Sequence, residues 1–458
     1  MKQLLILLLA ISIVGCKQEP KVDYALFSGK IENANADKLT VKGFEFEKEI
    51  SINNDGTFAD TLRLTEAGFY SFSVGRESSS IYLKNGDALS LTLNTLMFDE
   101  SVKYTGVGSV ENNYLASKYM NNETMMGESP VFYSLDESAF KNKLDEIFNS
   151  NKTALNNLKD ADEDFITSEL KNLEYDTYMS LNSYEQAHVY YTKNEAFKVS
   201  DSFLPEALKN MSYDDATAYK NSSSYKQLAY SYTMNTLFDK LGDDYNNASG
   251  EDLKSVSEIK IPALKNDVVS YLGKFMVSPA NPNMKSIYEF LSANSTDEKF
   301  KTELSTTYNK VKALVKGMPS PQFTNYENHK GGETSLSDLK GKYVYVDVWA
   351  TWCGPCKREI PFLKEIEKQY HGKNIEFVST SIDVANDHST WVEMVKEMQL
   401  GGIQLFADNN WKSKFVTDYG IEGIPRFILI DPNGNIVSAD APRPSDPKLV
   451  ELFTELKI

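Results

Sequence analysis

Cysteine and histidine are both scarce in this 458-residue chain, with three of the first and four of the second. So few thiols exclude the disulfide framework that staples small secreted domains. The histidines, His188, His329, His371 and His388, are scattered, with no pair at HxxxH spacing. A zinc site takes four close-spaced ligands, so any CxxC here lacks a second half and no metal is expected. His188, standing alone, reads as an ordinary surface or core residue. No basic block offsets the net charge of −17, which argues against nucleic acid as a partner. Nor does a long apolar run follow the first residues, so the body of the chain is expected to be soluble. No cofactor is called for.

What is present begins at the N-terminus. Met1-Lys2 and the apolar stretch Leu4 to Val14 form a charged segment and a short hydrophobic one, too short for a permanent membrane span. The stretch ends in Ile13-Val14-Gly15-Cys16, which resembles the lipobox of bacterial lipoproteins. The resemblance implies removal of residues 1–15, a diacylglycerol on Cys16, and a lipid-anchored protein of the cell envelope; a periplasm-facing anchor is expected, on the outer or the inner membrane, and the residues after Cys16 leave membrane and face open. An ordinary signal peptide followed by a free cysteine is the alternative. Lipidation would leave two thiols in the mature chain, Cys353 and Cys356.

Three further regions differ in period. Over 16–106, after a short tether, alternating runs such as Phe69-Tyr70-Ser71-Phe72-Ser73-Val74 and Ala88-Leu89-Ser90-Leu91-Thr92-Leu93 are separated by Asn54-Asp55-Gly56 and Asn85-Gly86-Asp87. Asn-Gly and Asp-Gly steps supply the positive φ of tight hairpins, and an antiparallel β-sandwich is predicted. Its role is open between a packing or spacer module and a binding one. Over 107–316 the period becomes helical, in the stripes Phe140, Leu144, Ile147; Met234, Leu237, Phe238, Leu241; and Leu264, Val268, Leu272, Phe275. An α-helical domain is predicted there. From 317 to 458, past Pro319-Ser320-Pro321, strands and helices alternate and close on the hairpin joined by Asp431-Pro432-Asn433-Gly434. That order predicts an α/β sheet with mixed pairing.

The chemistry lies in this last region. Trp352-Cys353-Gly354-Pro355-Cys356 directly follows the strand pattern Tyr343 to Trp349 and directly precedes a helical pattern from Lys357 to Tyr370. A helix N-terminus stabilises a thiolate, lowering a thiol whose free pKa is roughly 8.5. A second thiol one turn along can attack a mixed disulfide made by the first. Cys353 is thus the candidate nucleophile and Cys356 the resolver.

With these residues in place, the segment from about Gly317 to Ile458 resembles the thioredoxin fold, in the TlpA/ResA branch of membrane-tethered bacterial thiol-disulfide oxidoreductases. The features that carry it are Ser335 to Lys342, the Val348-to-Cys356 motif, Pro361 within the dithiol helix, and Gly423-Ile424-Pro425 before a strand. The resemblance implies a cis peptide before Pro425, which would let Ile424 pair with an extended substrate segment beside Cys353. Trp352, Gly354 and Pro355 would line the same substrate surface. Asp347, in an apolar strand, matches the aspartate that acts in thioredoxins as a base toward the resolving cysteine. The lysine that often accompanies it is absent, Ser379 standing at about that place. Glu359, three residues after Cys356, is a second acid–base candidate, the alternative being a solvated first-turn charge.

The resemblance implies reduction of disulfides in envelope proteins, apocytochrome c among them, with electrons from a membrane-embedded donor. Large domains ahead of a tethered thioredoxin-like one resemble envelope lipoproteins of the Bacteroidetes type. Two other readings stay open: a dithiol oxidant or peroxide-handling enzyme, and a non-enzymatic binding lipoprotein in which the dithiol is incidental.

Overall fold

The computed structural model describes residues 22–458, so Cys16 and the segment 1–15 expected to be removed lie outside the described residues. The chain divides into two compact units, one ending at Ala229 and one starting at Tyr230. The division falls inside the helix Ser223–Leu241, so the helices expected as one domain over 107–316 are shared between the units. Among the described residues, no helix is long and apolar enough to cross a membrane.

The first unit opens with eight strands: β1 (Ala25–Glu32), β2 (Lys38–Gly43), β3 (Phe46–Ser51), β4 (Thr57–Leu62), β5 (Gly68–Val74), β6 (Glu77–Leu83), β7 (Ala88–Asn94) and β8 (Lys103–Val107). They form two four-stranded sheets, ordered β4-β1-β7-β8 and β3-β2-β5-β6. Alternate residues of both, among them Phe27, Leu39, Val41, Phe72, Leu89 and Leu91, fill one apolar core, as a period of two demands when one face is buried. The expectation of purely antiparallel pairing needs correction. β1 runs parallel to β7, in the register Leu26↔Ala88 to Glu32↔Asn94. A parallel pair cannot be closed by a hairpin; here the whole second sheet lies between its two strands in sequence.

Helices follow, including Ser109–Met126, Glu137–Asn156 and Glu163–Thr192. The stripe Phe140, Leu144, Ile147 is buried among aromatic rings such as Tyr184 and Phe132. His188 is buried here too, its Nδ1 2.8 Å from the Tyr133 carbonyl. In the second unit, the helix Pro262–Met276 buries Leu264, Val268 and Leu272, but Phe275 points outward, 64% exposed. Met276 takes the core position instead, four residues beyond Leu272.

The sheet that positions the dithiol comprises β9 (Tyr326–Asn328), β10 (Glu333–Thr334), β11 (Tyr343–Trp349), β12 (Ile375–Ser381), β13 (Ile403–Phe406), β14 (Arg426–Ile430) and β15 (Ile436–Ser438), ordered β10-β9-β13-β12-β11-β14-β15. β11 is central, parallel to β12 and antiparallel to β14. Both sheet faces are covered. Val344, Val346 and Val348 enter one core with Trp391, Phe415 and Ile428. Tyr345 enters the other with Leu363 and Ile366 of the helix Gly354–Gln369 and with Phe427 and Phe453. Asp347 lies two residues from Tyr345, on the face that this helix covers.

Candidate active site: a buried dithiol and its acids

Cys353 is the N-cap of the helix Gly354–Gln369, with extended backbone, and its Sγ accepts the Cys356 amide at 3.1 Å. The sulfur therefore occupies the place of an N-capping oxygen, where the unpaired amides of a first turn favour negative charge. Pro355 falls in that first turn, where a missing N–H costs nothing. Cys353 and Cys356 are joined as a disulfide, their Cα atoms 5.3 Å apart. Both are 3% exposed, whereas neighbouring Trp352 is 56% exposed. Gly354 and Pro355 are also exposed, so these three residues form the accessible surface around the sulfurs. Pro361 lies within the helix, lacking an amide to donate to the preceding turn.

The strand-to-helix turn is held by a residue the sequence reading missed. Asp383, 1% exposed, accepts the Thr351 amide at 2.9 and 3.1 Å, the Thr351 hydroxyl at 2.8 Å and the Ser381 hydroxyl at 2.7 Å. Hydrogen bonds to a charged acceptor contribute about 1.5–3 kcal/mol each, and these fix the residue two before Cys353. The available signal was an acid two residues past the strand pattern that ends at Ser381.

The Ile424-Pro425 peptide is cis. Pro425 immediately precedes Arg426, which pairs with Val348 of β11, so the register carries the proline loop to the end of β11 that leads into the dithiol. Ile424 packs against the core that contains Cys353 and Cys356.

Asp347 pairs in register with Ser379 on β12 and Phe427 on β14, so the position expected for a lysine holds a serine. The carboxyl is 7% exposed and its Oδ1 has no hydrogen-bond partner in the protein. Burial, reinforced by Glu359 and Glu367 and only partly offset by the Ser379 hydroxyl, raises its pKa to about 8. An ordinary aspartate titrates near 3.9; burial holds this one far above that, in the range an acid–base group at neutral pH requires.

Glu359 is not a solvated first-turn charge. It sits in the second turn of the helix, 8% exposed, and accepts the Ser445 amide at 3.1 Å and the Ser445 hydroxyl at 3.0 Å. Ser445 comes from a loop 86 residues away, so no local pattern could have named it. Among the described residues no group of acids, histidines or cysteines is arranged to hold a metal.

Comparison with known proteins places this arrangement. A redoxin family model matches residues 315–452. The thiol-disulfide oxidoreductase ResA of Bacillus anthracis is 29% identical over 121 residues, 26% of this chain and 66% of that protein. ResA of Bacillus subtilis (strain 168) is 28% identical over 136 residues, 29% of this chain and 73% of that protein. This chain thus spans about two thirds of the length of the ResA proteins it matches. Among solved structures, a candidate thiol-disulfide oxidoreductase from Bacteroides vulgatus is 51% identical, covering 32% of this chain and 93% of that one, with a TM-score of 0.28. The assignment rests on the sequence matches and on the dithiol geometry. Residues 315–452 of this chain form a thioredoxin-like redoxin domain of the TlpA/ResA thiol-disulfide oxidoreductase type.

Proposed function

We propose that the chain is a membrane-tethered reductase of disulfides in cell-envelope proteins. The observation that carries it is Cys353 at the helix N-cap, its sulfur receiving the Cys356 amide and bridged to Cys356. In the reduced protein, the Cys353 thiolate attacks one sulfur of a partner's disulfide. An S–S bond forms between chain and partner, and the partner's other sulfur leaves as a thiolate. Cys356 then attacks Cys353 Sγ, closing the intramolecular disulfide and releasing the partner's second thiolate. Two electrons pass to the partner, whose thiolates take up two protons. Asp347 takes the proton from Cys356 in that second step, through water. Trp352, Gly354 and Pro355 form the contact surface, and Ile424 beside Pro425 pairs with an extended partner segment.

In the same reading Cys16 carries a diacylglycerol that anchors the chain on the periplasmic face, and a membrane-embedded donor returns the dithiol to its reduced state. The Gly354-Pro355 spacer, resembling that of reducing thioredoxins, favours reduction over oxidation. The test is turnover of a protein disulfide such as that of insulin, with dithiothreitol as electron source. Wild type should accelerate it, Cys353→Ser should not, and Cys356→Ser should accumulate a mixed disulfide on Cys353. Equal rates with wild type and Cys353→Ser would contradict the reading.

A further inference from the structure

Beneath the dithiol helix, Asp347, Trp349, Ile360, Leu363, Glu367 and Gln404 are among the residues enclosing a void of about 10 Å³, room for a single water. Three buried polar atoms around it have no hydrogen-bond partner in the protein: Asp347 Oδ1, Trp349 Nε1 and Gln404 Oε1. Their residues are 7%, 2% and 4% exposed. Unpaired buried polar atoms are costly and uncommon, and three around one small space are chemically complementary. A water placed there would accept from the Trp349 N–H and from the protonated Asp347 carboxyl, and would donate to Gln404 Oε1 and to the Glu367 carboxylate. Gln404 is already oriented for this, its Nε2 donating to the Gly401 carbonyl at 2.7 Å.

Glu367 gives the space a second side. With Lys364 and Gly401 it lines both the void and a separate open cleft of about 800 Å³. That cleft is bordered by Lys342, Asn374 and Ile375, at the start of β11 and β12, the ends of these strands remote from the dithiol. The Glu367 carboxyl is seated against the Gly401-Gly402 backbone, where a Cβ on Gly401 would collide with Oε2. Neither neighbouring lysine bonds it: Lys364 donates to the Met398 carbonyl, and Lys330 to the Gly402 carbonyl at 3.3 Å. Burial lifts the Glu367 pKa to about 7, with Lys364 and Lys330 opposing.

We propose that this void and Glu367 form a rear proton exit, by which Asp347 exchanges its proton with solvent on the side of the domain away from the dithiol. It rests on the reading of Asp347 as the group that serves Cys356. A partner docked on Trp352, Gly354 and Pro355 covers the front of the site, and a route behind the helix stays open while it is bound. The proton moves from Asp347 to the water and from the water to Glu367, then to the cleft, with no change in electron count. Glu367 is a positioning and relay residue, since it acts through Asp347. The other ionisable groups facing Asp347 are Glu359 and Lys364 from the helix and Tyr345 from its own strand; β12 and β13 present only neutral Ser379 and Gln404.

The test follows the protonated-carboxyl infrared band of Asp347, identified by its loss in Asp347→Asn, after a pH jump from 6 to 9 on the full chain. The band should decay about tenfold more slowly in Glu367→Gln, which keeps the shape of the side chain, and in Gly401→Ala, which displaces its carboxyl. Glu367→Asp should restore part of the rate. Decay at the wild-type rate in both Glu367→Gln and Gly401→Ala would overturn the proposal. Because the band reports Asp347 and not turnover, a chain that fails to reduce disulfides would still give a result.

Discussion

Glu169 in the first unit and Asp347 in the redoxin domain are both carboxylates that burial pushes toward the neutral form, and they differ in their partners. In the first, Glu169 is fully buried and accepts the Lys118 ammonium at 2.6 Å and the Asn172 amide at 3.3 Å. Burial works against the charge on Lys118, yet Glu169 and Asp176 hold its pKa above the ordinary value. In the redoxin domain Asp347 has no cation bonded to it and one oxygen without a partner. A buried ion pair is inert to pH near neutrality and serves architecture. A buried lone acid is kept near its titration point and can serve proton transfer, at a cost to stability.

The comparison can be broken in four ways. The largest effect belongs to the dithiol: Cys353→Ser should bring disulfide reduction down to the uncatalysed rate, whereas Lys118→Met should leave it intact, both measured by insulin turbidity. Next, Lys118→Met should lower the stability of the first unit by about 3 to 5 kcal/mol, the usual result of stranding one buried charge. Denaturant unfolding checks this, and adding Glu169→Leu should recover much of the loss.

Third, Asp347→Asn should do the reverse and stabilise. The folded-state pKa is about 8, so between about pH 4 and that value the unfolded chain releases a proton that the folded chain keeps, and stability falls as pH rises. The gain in Asp347→Asn should be about 2 to 4 kcal/mol at pH 7 and vanish near pH 4, with resolution by Cys356 slowed at neutral pH. A variant less stable at pH 7 would contradict the account. The smallest effect is expected at Asp383. There Asn presents a donor to the Thr351 amide, costing about 1 to 3 kcal/mol, visible as faster hydrogen exchange at Thr351 and Cys353.

The sequence made some of this legible and hid the rest for physical reasons. Strands β11 and β14 have the limits their apolar runs imply, Tyr343–Trp349 and Arg426–Ile430, because central strands buried on both faces read as continuous hydrophobic stretches. The first half of β6, Glu77-Ser78-Ser79-Ser80, carries no strand pattern and is ordered by pairing with β5. The β9 and β10 hairpin is too short to show a period. The parallel β1–β7 pair was invisible because it joins segments some sixty residues apart, and local alternation says nothing of direction. At the site, the dithiol and Pro425 announce themselves by motif. Asp383, Ser445, Gln404 and Glu367 do not, since each acquires meaning only from what folding brings against it.

The most direct test of the central claim is the reduction potential of the Cys353/Cys356 pair, obtained by equilibrating the full chain with glutathione redox buffers and counting free thiols. The account predicts a potential well below the glutathione couple, as a reductase needs. A potential well above that couple would make the dithiol an oxidant and contradict it.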